Sequence, residues 1–408
     1  MFKAGKWPCI VLLYVYGTVA TSLVTQAVPV IGDIARYFEL THAWSGWVIS
    51  IPSLITALGA LFGGWLIDRI GDRKVIFAGA LCALAGNLGV FYAESVSVLF
   101  ASRLVEGIGY LSLTVGAVTL LMRTTSGARR NFALGLWTSH TAVGIGITLS
   151  LVAPLAGHDE HWRWAFGGHA LLMLVLAALA PLLPAREPGQ ALRRLSDIWV
   201  VLRHPMPYRI AAASAASAFI QTGIMAALTL YVTKAFAVGV PVAAGVGTLA
   251  EVFVVVGCLG VGYLKGRRDS RLLAVAGGVT LLIGGICFYL PGIALSSAVV
   301  AICAFSLGIG VVNGLIWTFV PAAAPNTAAL GATSGLVAQA TYLDVLLGPP
   351  TVFTSLLVDG GYSTLMVIIA LATLMQLAPL PIWGRKRVTG ADTLAVPLLD
   401  PHGHRGTP

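Results

Sequence analysis

The sequence predicts an all-α polytopic membrane protein whose twelve transmembrane helices form two six-helix bundles. Three observations predict it. Of 408 residues, 57% are hydrophobic and only 10% are charged, which is too apolar for an ordinary water-soluble chain. Apolar runs of about 20 residues recur, the length a helix needs to cross bilayer hydrocarbon, where no water satisfies backbone amides and carbonyls. Finally, the basic residues gather on one side of the resulting series of loops.

The elements follow in order. The first run, residues 8–31, follows Lys3 and Lys6 as a signal peptide would, but it is too long for a signal core and lacks a clear small-x-small cleavage site. It reads as the first spanning helix. Further runs cover residues 44–67, 75–92, 96–122, 132–156 and 164–183, which closes an N-terminal bundle over residues 1–184. A polar stretch rich in arginine and proline, "REPGQALRRLSDIWVVLRHPMP", makes residues 185–207 a linker. The second bundle, residues 208–384, takes runs 208–232, 242–264, 272–290, 294–321, 328–358 and 362–383. Residues 385–408 form a polar tail, rich in proline and glycine toward its end, that reads as disordered.

With both termini inside, and apart from Arg103 within a run, only Arg36, Arg163 and Lys234 among the lysines and arginines fall outside. That bias accounts for the net charge of +9 through anionic inner-leaflet lipid, with no nucleic acid as partner. Cys9, Cys82, Cys258, Cys287 and Cys303 all lie in apolar runs without paired spacing, so they read as small buried hydrophobes and not as disulfides or zinc ligands. No phosphate loop, catalytic triad or dinucleotide fingerprint stands out. No enzyme activity, cofactor or metal is expected. "HDEHW", residues 158–162, offers potential metal ligands, but consecutive residues rarely converge on one ion, and it reads as a solvated turn.

Between the second and third runs, "GGWLIDRIGDRKV" holds five charged side chains. Gly64, Asp68, Arg69, Gly71, Arg73 and Lys74 resemble the G-x-x-x-D-R-x-G-R-[RK] loop of the major facilitator superfamily, in the place where that family carries it. Asp72 departs from the pattern, standing where a basic residue is usual. The resemblance extends to about Trp383 and implies two parallel six-helix repeats with a binding site at their interface near the midplane. It also implies that this loop bridges the halves and stabilises the outward-open state. By residue chemistry alone, Asp68 ends a helix at the inner surface, where it can pair with arginines or face the positive end of another helix; the alternative is a merely solvated turn. The corresponding stretch of the second half, "GYLKGRRDSRLL", has Gly266 where the first has Asp68.

"RLVEGIG", beginning at Arg103, resembles the family's R-x-x-Q-G-x-G segment, with Glu106 in place of the glutamine. Three residues apart, Arg103 and Glu106 share a helical face, and an ion pair there must face protein or a water-filled cavity. It is either a proton-responsive pair or a structural lock. Glu251 and Asp344 also fall deep within runs and are candidates for proton coupling, or else neutral acids bonded to a neighbouring helix. His140, Gln221, Asn313, Gln339 and Tyr342 are candidate cavity-lining groups, with interhelical bonding as the alternative; Trp137 and Trp317 either wall the cavity or face lipid. "VGIGITLSLVAPLAG" echoes an exporter segment of the family only through Gly144, Gly146 and Pro154.

Together these features point to a secondary transporter that moves a small organic substrate by proton-coupled alternating access, working as a monomer in a bacterial inner membrane. Efflux by proton antiport is the favoured mode. Proton-coupled uptake of an organic acid or other small metabolite is the alternative, and a transporter-like receptor that moves nothing is a third.

Overall fold

The computed structural model describes residues 3–158, 160–185, 198–357 and 361–383. Among these the chain is helical, without a β-strand. In order come α1 (Trp7–Thr25), α2 (Ile31–Tyr37), α3 (His42–Ile70), α4 (Asp72–Phe91), α5 (Val96–Thr124), α6 (Gly127–Thr138), α7 (His140–Val152) and α8 (Trp162–Leu179). After a short α9 (Ile198–Leu202) follow α10 (Pro205–Phe236), α11 (Val240–Leu264), α12 (Ser270–Phe288), α13 (Leu295–Ala323), α14 (Leu330–Leu357) and α15 (Gly361–Leu377).

Ten described helical segments are long and apolar enough to cross a membrane. Two more complete the expected twelve: α14, 28 residues long but interrupted by Gln339, Thr341 and Asp344, and α15, 17 apolar residues. The chain is an integral membrane protein. Local chemistry sets several starts. The Thr41 hydroxyl accepts from the Trp44 amide at 3.4 Å ahead of α3, and Ser95 does the same for Val98 ahead of α5. The Asn326 side chain accepts from the amides of Ala328 and Ala329 at 3.1 and 2.9 Å, turning the chain into α14.

Two runs differ from expectation. The first does not continue as one helix to residue 31: α1 stops at Thr25, residues 26–30 form turns, and the short α2 begins only at Ile31. Its Asp33 carboxylate pairs with Arg36 at 3.1 Å and accepts from the Gly157 amide at 2.8 Å, which ties down the end of the bundle. The fifth run is not one helix but two, α6 and α7, divided at Ser139; its hydroxyl bonds to Leu136 O at 2.7 Å, satisfying a carbonyl at the end of α6. Residues 186–197, most of the expected linker, and all of the tail 385–408 lie outside the described residues.

The basic residues Arg69, Arg73, Lys74, Arg123, Arg129, Arg130, Lys265, Arg267, Arg268 and Arg271 all sit where helices end on one side, here the basic end. The buried apolar residues show how the two halves meet. One continuous core at this end draws from both, joining Ile76, Leu121 and Leu134 to Val261, Val320 and Val337. Toward the opposite end the core divides. One cluster, around Ile34, Val48, Leu99 and Trp162, belongs to the first half, and a separate one, around Ile224, Tyr231, Phe288 and Phe305, belongs to the second.

The tightest seam between the halves is α3 against α14, built from small residues that let the backbones touch. A Cβ on Gly64 would lie 2.0 Å from Gly331 O, and one on Gly335 would lie 2.2 Å from Ala60 O. Only glycine fits at these positions. Replacing Gly335 with valine should therefore force α3 and α14 apart. Spin labels at the exposed positions Arg69 and Thr327 should then report a longer separation across the basic end than in the parent, and an unchanged distance would show that the seam tolerates bulk.

Candidate functional site

The charged loop between α3 and α4 turns at Gly71, whose φ of +98° lies in the left-handed region that side chains avoid. That turn places Asp68, 2% exposed, against the start of α14 in the other half. Its two carboxylate oxygens accept from the amides of Gly331 and Ala332 at 3.0 and 2.9 Å. These are first-turn donors with no partner inside their own helix, and the positive end of the helix dipole reinforces the attraction. Arg123, from the end of α5, ion-pairs with Asp68 and donates to Asp72 at 2.6 Å. The unusual Asp72 thus has a physical role: two carboxylates bracket one guanidinium. Among the other motif residues, Gly64 forms the seam, Arg69 is exposed over the Trp65 ring at 5.3 Å, Arg73 reaches Pro181 O at 3.5 Å and Lys74 is exposed.

Arg103 and Glu106 do form an ion pair, with both side chains wholly buried inside the first bundle and not at the interface between halves. Arg103 Nε also donates to Val48 O of α3 at 2.7 Å, and its guanidinium lies 5.8 Å from the centre of the Phe166 ring. Three residues that sequence reasoning missed complete this cluster. Gln26, just beyond α1, Asn87 of α4 and His169 of α8 are hydrogen-bonded in a row, His169 Nδ1 to Gln26 Oε1 at 2.7 Å and Gln26 Nε2 to Asn87 Oδ1 at 2.9 Å. Their signal was the one that marked Arg103: a lone polar residue within an apolar run. Arg123 was likewise read only as one inner-surface charge among many.

The remaining candidates are spread over several helices. Gln339 bonds to the α3 backbone, accepting from Leu61 N at 3.2 Å and donating to Leu58 O at 3.4 Å, and Tyr342 shares a hydroxyl–hydroxyl bond with Tyr110 of α5. Both therefore bridge the halves. His140 is buried on the Trp137 ring at 4.4 Å, with Nδ1 2.5 Å from Trp137 O, and this pair fills the space beside Gly17 of α1. Trp137 is thus a buried packing residue, and Trp317 is half-buried on α13. Gln221, Asn313, Glu251 and Asp344 are half-buried on α10, α13, α11 and α14. Among the described residues, no ion pair joins Glu251 or Asp344 to the Arg103–Glu106 pair. Of the histidine-rich stretch, the His158 and His161 rings stack at 5.2 Å and Glu160 pairs with Arg163 at 2.9 Å, while residue 159 lies outside the described residues.

A model of the Major Facilitator Superfamily sequence matches residues 10–349. The chain belongs to this superfamily. Its members are transporters and not enzymes. Over 163 residues the chain is 32% identical to the arabinose-proton symporter of Escherichia coli (strain K12), covering 40% of this chain and 34% of that protein. Over 199 residues it is 29% identical to a probable sugar efflux transporter of Helicobacter pylori (strain J99), covering 45% and 47%. The chain thus spans between about a third and a half of the length of these curated relatives. The fold is that of the transporter FucP, solved in the outward conformation, with a TM-score of 0.77 at 14% identity over 92% of this chain and 98% of that one. It is also that of the human organic anion transporter MFSD10, with a TM-score of 0.73 at 16% identity over 90% and 98%.

The second half has a chemically different loop between α11 and α12. Gly262 of α11 meets the backbone of Asn131, Phe132 and Gly135 in α6, as Gly64 meets Gly331. No carboxylate stands at Gly266 (φ +93°), and Lys265 instead folds inward, donating to Thr318 Oγ1 at 2.8 Å with its ammonium 3.5 Å from the Phe319 ring centre. Burial outweighs that ring and pushes the ammonium from the ordinary 10.5 down to about 7.

Two predictions follow from these contacts. Asp68→Asn removes the charge that holds both Arg123 and the α14 terminus, so a loss of about 3–5 kcal/mol of closed-state stability is expected. Transport should fall while membrane insertion is retained, and undiminished transport at normal expression would refute a holding role. For Lys265, the unfolded chain binds a proton between pH 7 and 10.5 that the folded chain does not, so this group makes stability rise with pH across that window. Thermal unfolding in detergent at increasing pH should show that rise in the parent and a flatter profile in Lys265→Met.

Proposed function

We propose that this chain is a secondary active transporter that exports a small organic molecule in exchange for protons by alternating access, caught here in an outward-open state. One observation carries the reading: the two halves share a single core at the basic end, latched by Asp68 on α14, whereas toward the other end each half keeps a core of its own. The positive-inside bias makes the basic end cytoplasmic, with both termini on that side of a bacterial inner membrane. Residues 1–184 and 208–384 then rock as two units joined by the linker. The substrate sits between them near Gln339, Tyr342, Asn313, Gln221 and His140, and one chain suffices as the working unit.

The energies are commensurate. A charged hydrogen bond contributes about 1.5–3 kcal/mol, so the pair from Asp68 to α14 contributes several. One proton crossing the membrane supplies about 2.3 kcal/mol per 100 mV, and about 1.4 kcal/mol more per unit of pH difference. One proton therefore supplies energy of the same order as such a latch holds. Glu106 is the carboxylate we assign to it, because its partner Arg103 leaves it both held and able to be neutralised; Glu251 and Asp344 are second-half candidates. The sugar efflux relative supports export of a polyhydroxy compound. Proton-coupled uptake is the second reading, supported by the arabinose-proton symporter.

The test uses everted vesicles, a panel of radiolabelled monosaccharides and organic acids, and a pH-sensitive dye. Exchange of protons for one of these solutes, outward in the cell, is expected; solute-dependent proton flow in the opposite sense would establish uptake instead, and binding without flux would refute transport. Glu106→Gln should abolish gradient-driven accumulation while leaving solute-for-solute exchange. Full accumulation in that variant would move the coupling site to Glu251 or Asp344.

A further inference from the structure

The cluster inside the first bundle contains more than an ion pair. Asn87 Nδ2 donates to Ala83 O at 2.8 Å, and a backbone carbonyl can only accept, so the orientation of the whole row follows from it. Asn87 Oδ1 must then accept from Gln26 Nε2, and Gln26 Oε1 must accept from a proton on His169 Nδ1. In the neutral ring the other nitrogen, Nε2, is left as a lone-pair acceptor. Among the described residues this Nε2 has no partner, nor has Arg103 Nη2 or Glu106 Oε1, and all three are buried. One is a donor without an acceptor, and two are acceptors without a donor. Arg103 and Glu106 share one face of α5, and the Arg103 guanidinium lies 5.8 Å from the centre of the Phe166 ring, which is one helical turn before the buried His169 on the same face of α8.

We propose that His169 is the alternate partner of Arg103, receiving its guanidinium when Glu106 holds the transported proton. This rests on the assignment of that proton to Glu106. In the present state Arg103 Nη1 donates to Glu106 Oε2 and Nε to Val48 O. A proton arriving on the carboxylate forms one O–H bond, turns an acceptor into a neutral acid and releases the guanidinium, whose charge is unchanged. A buried cation without an acceptor is costly, and a nearby neutral imidazole nitrogen lowers that cost. On release of the proton the guanidinium returns to the carboxylate. The proton does not settle on His169, since a second cation beside Arg103 in a site closed to water would be strongly repelled. The groups facing the site are Gln26 from the segment after α1, Val48 O from α3, Asn87 from α4, Arg103 and Glu106 from α5, and Phe166 and His169 from α8. His169 is thus a positioning residue, and Gln26 and Asn87 hold its ring in the accepting tautomer.

The test needs no substrate. The purified full chain is titrated by infrared difference spectroscopy, following the carboxylic acid C=O band that disappears in Glu106→Gln. His169→Phe removes the alternate acceptor, so the midpoint of that band should move by about one unit toward acid, a tenfold loss of proton affinity. His169→Gln, which restores an acceptor oxygen, should bring it back toward the parent value. A merely structural role would lower thermal stability without moving the midpoint. If His169→Phe does not survive purification, Asn87→Leu leaves the imidazole in place but frees its tautomer, and an acid shift is again expected. A parental midpoint in whichever of the two is measured overturns the proposal. If instead Glu106→Gln removes no titrating band, the assignment of the proton to Glu106 is what fails.

Discussion

One carboxylate connects the halves of this protein. Asp68 ends a helix of the first half and caps the first turn of a helix in the second, and the same oxygens hold Arg123 from a third helix. The geometry is possible only because Gly64, Gly331 and Gly335 let two backbones touch without intervening side chains. Apolar packing alone would join the helices with little preference for a state, because lipid tails are as apolar as the side chains they replace. A buried charge with fixed donors is selective. It is satisfied in the arrangement seen here and would lose its α14 partners if the halves parted at this seam, which is why the proposed transport cycle places a latch there.

The contrast between the two loops makes that latch one-sided. In the second half the same close glycine packing recurs, between Gly262 of α11 and Gly135 of α6, but the capping acid is replaced by Gly266 and by a lysine folded onto Phe319 and Thr318. Backbone contact is kept and charge locking is not. The α3–α14 seam therefore holds the basic end by a buried charge, whereas the α6–α11 seam is held by close backbone packing and the bond from Asn131 Nδ2 to Lys265 O at 3.5 Å.

The polar groups within the first bundle obey the complementary rule. Arg103, Glu106, His169, Gln26 and Asn87 are nearly or wholly excluded from solvent, where each isolated group would be expensive, yet they come from three helices and the segment after α1 so as to bond one another. Three of their atoms remain without partners among the described residues. The proposed move of the guanidinium to His169 draws on these atoms, since a proton on Glu106 calls for another acceptor for Arg103.

Much of this was legible in the sequence. The excess of apolar residues and the spacing of the runs determined a polytopic helical bundle, because hydrocarbon leaves the backbone no other way to satisfy its own groups, and the one-sided basic residues supplied the expected orientation. The spacing of Gly64, Asp68 and Gly71 marked the loop, and three residues of separation placed Arg103 and Glu106 on one face. Such readings depend on neighbours in the chain. The partners of Asp68 lie 263 and 264 positions away, and His169 lies 143 positions from Gln26, separations at which no local pattern survives. The end of α1 at Thr25 and the division of the fifth run at Ser139 were equally invisible, since hydrophobicity reports that a segment avoids water and not where its helix pauses. Only the tertiary structure decided which buried polar groups meet, because a hydrogen bond needs atoms within about 3 Å of each other, and that proximity is set by how the helices cross.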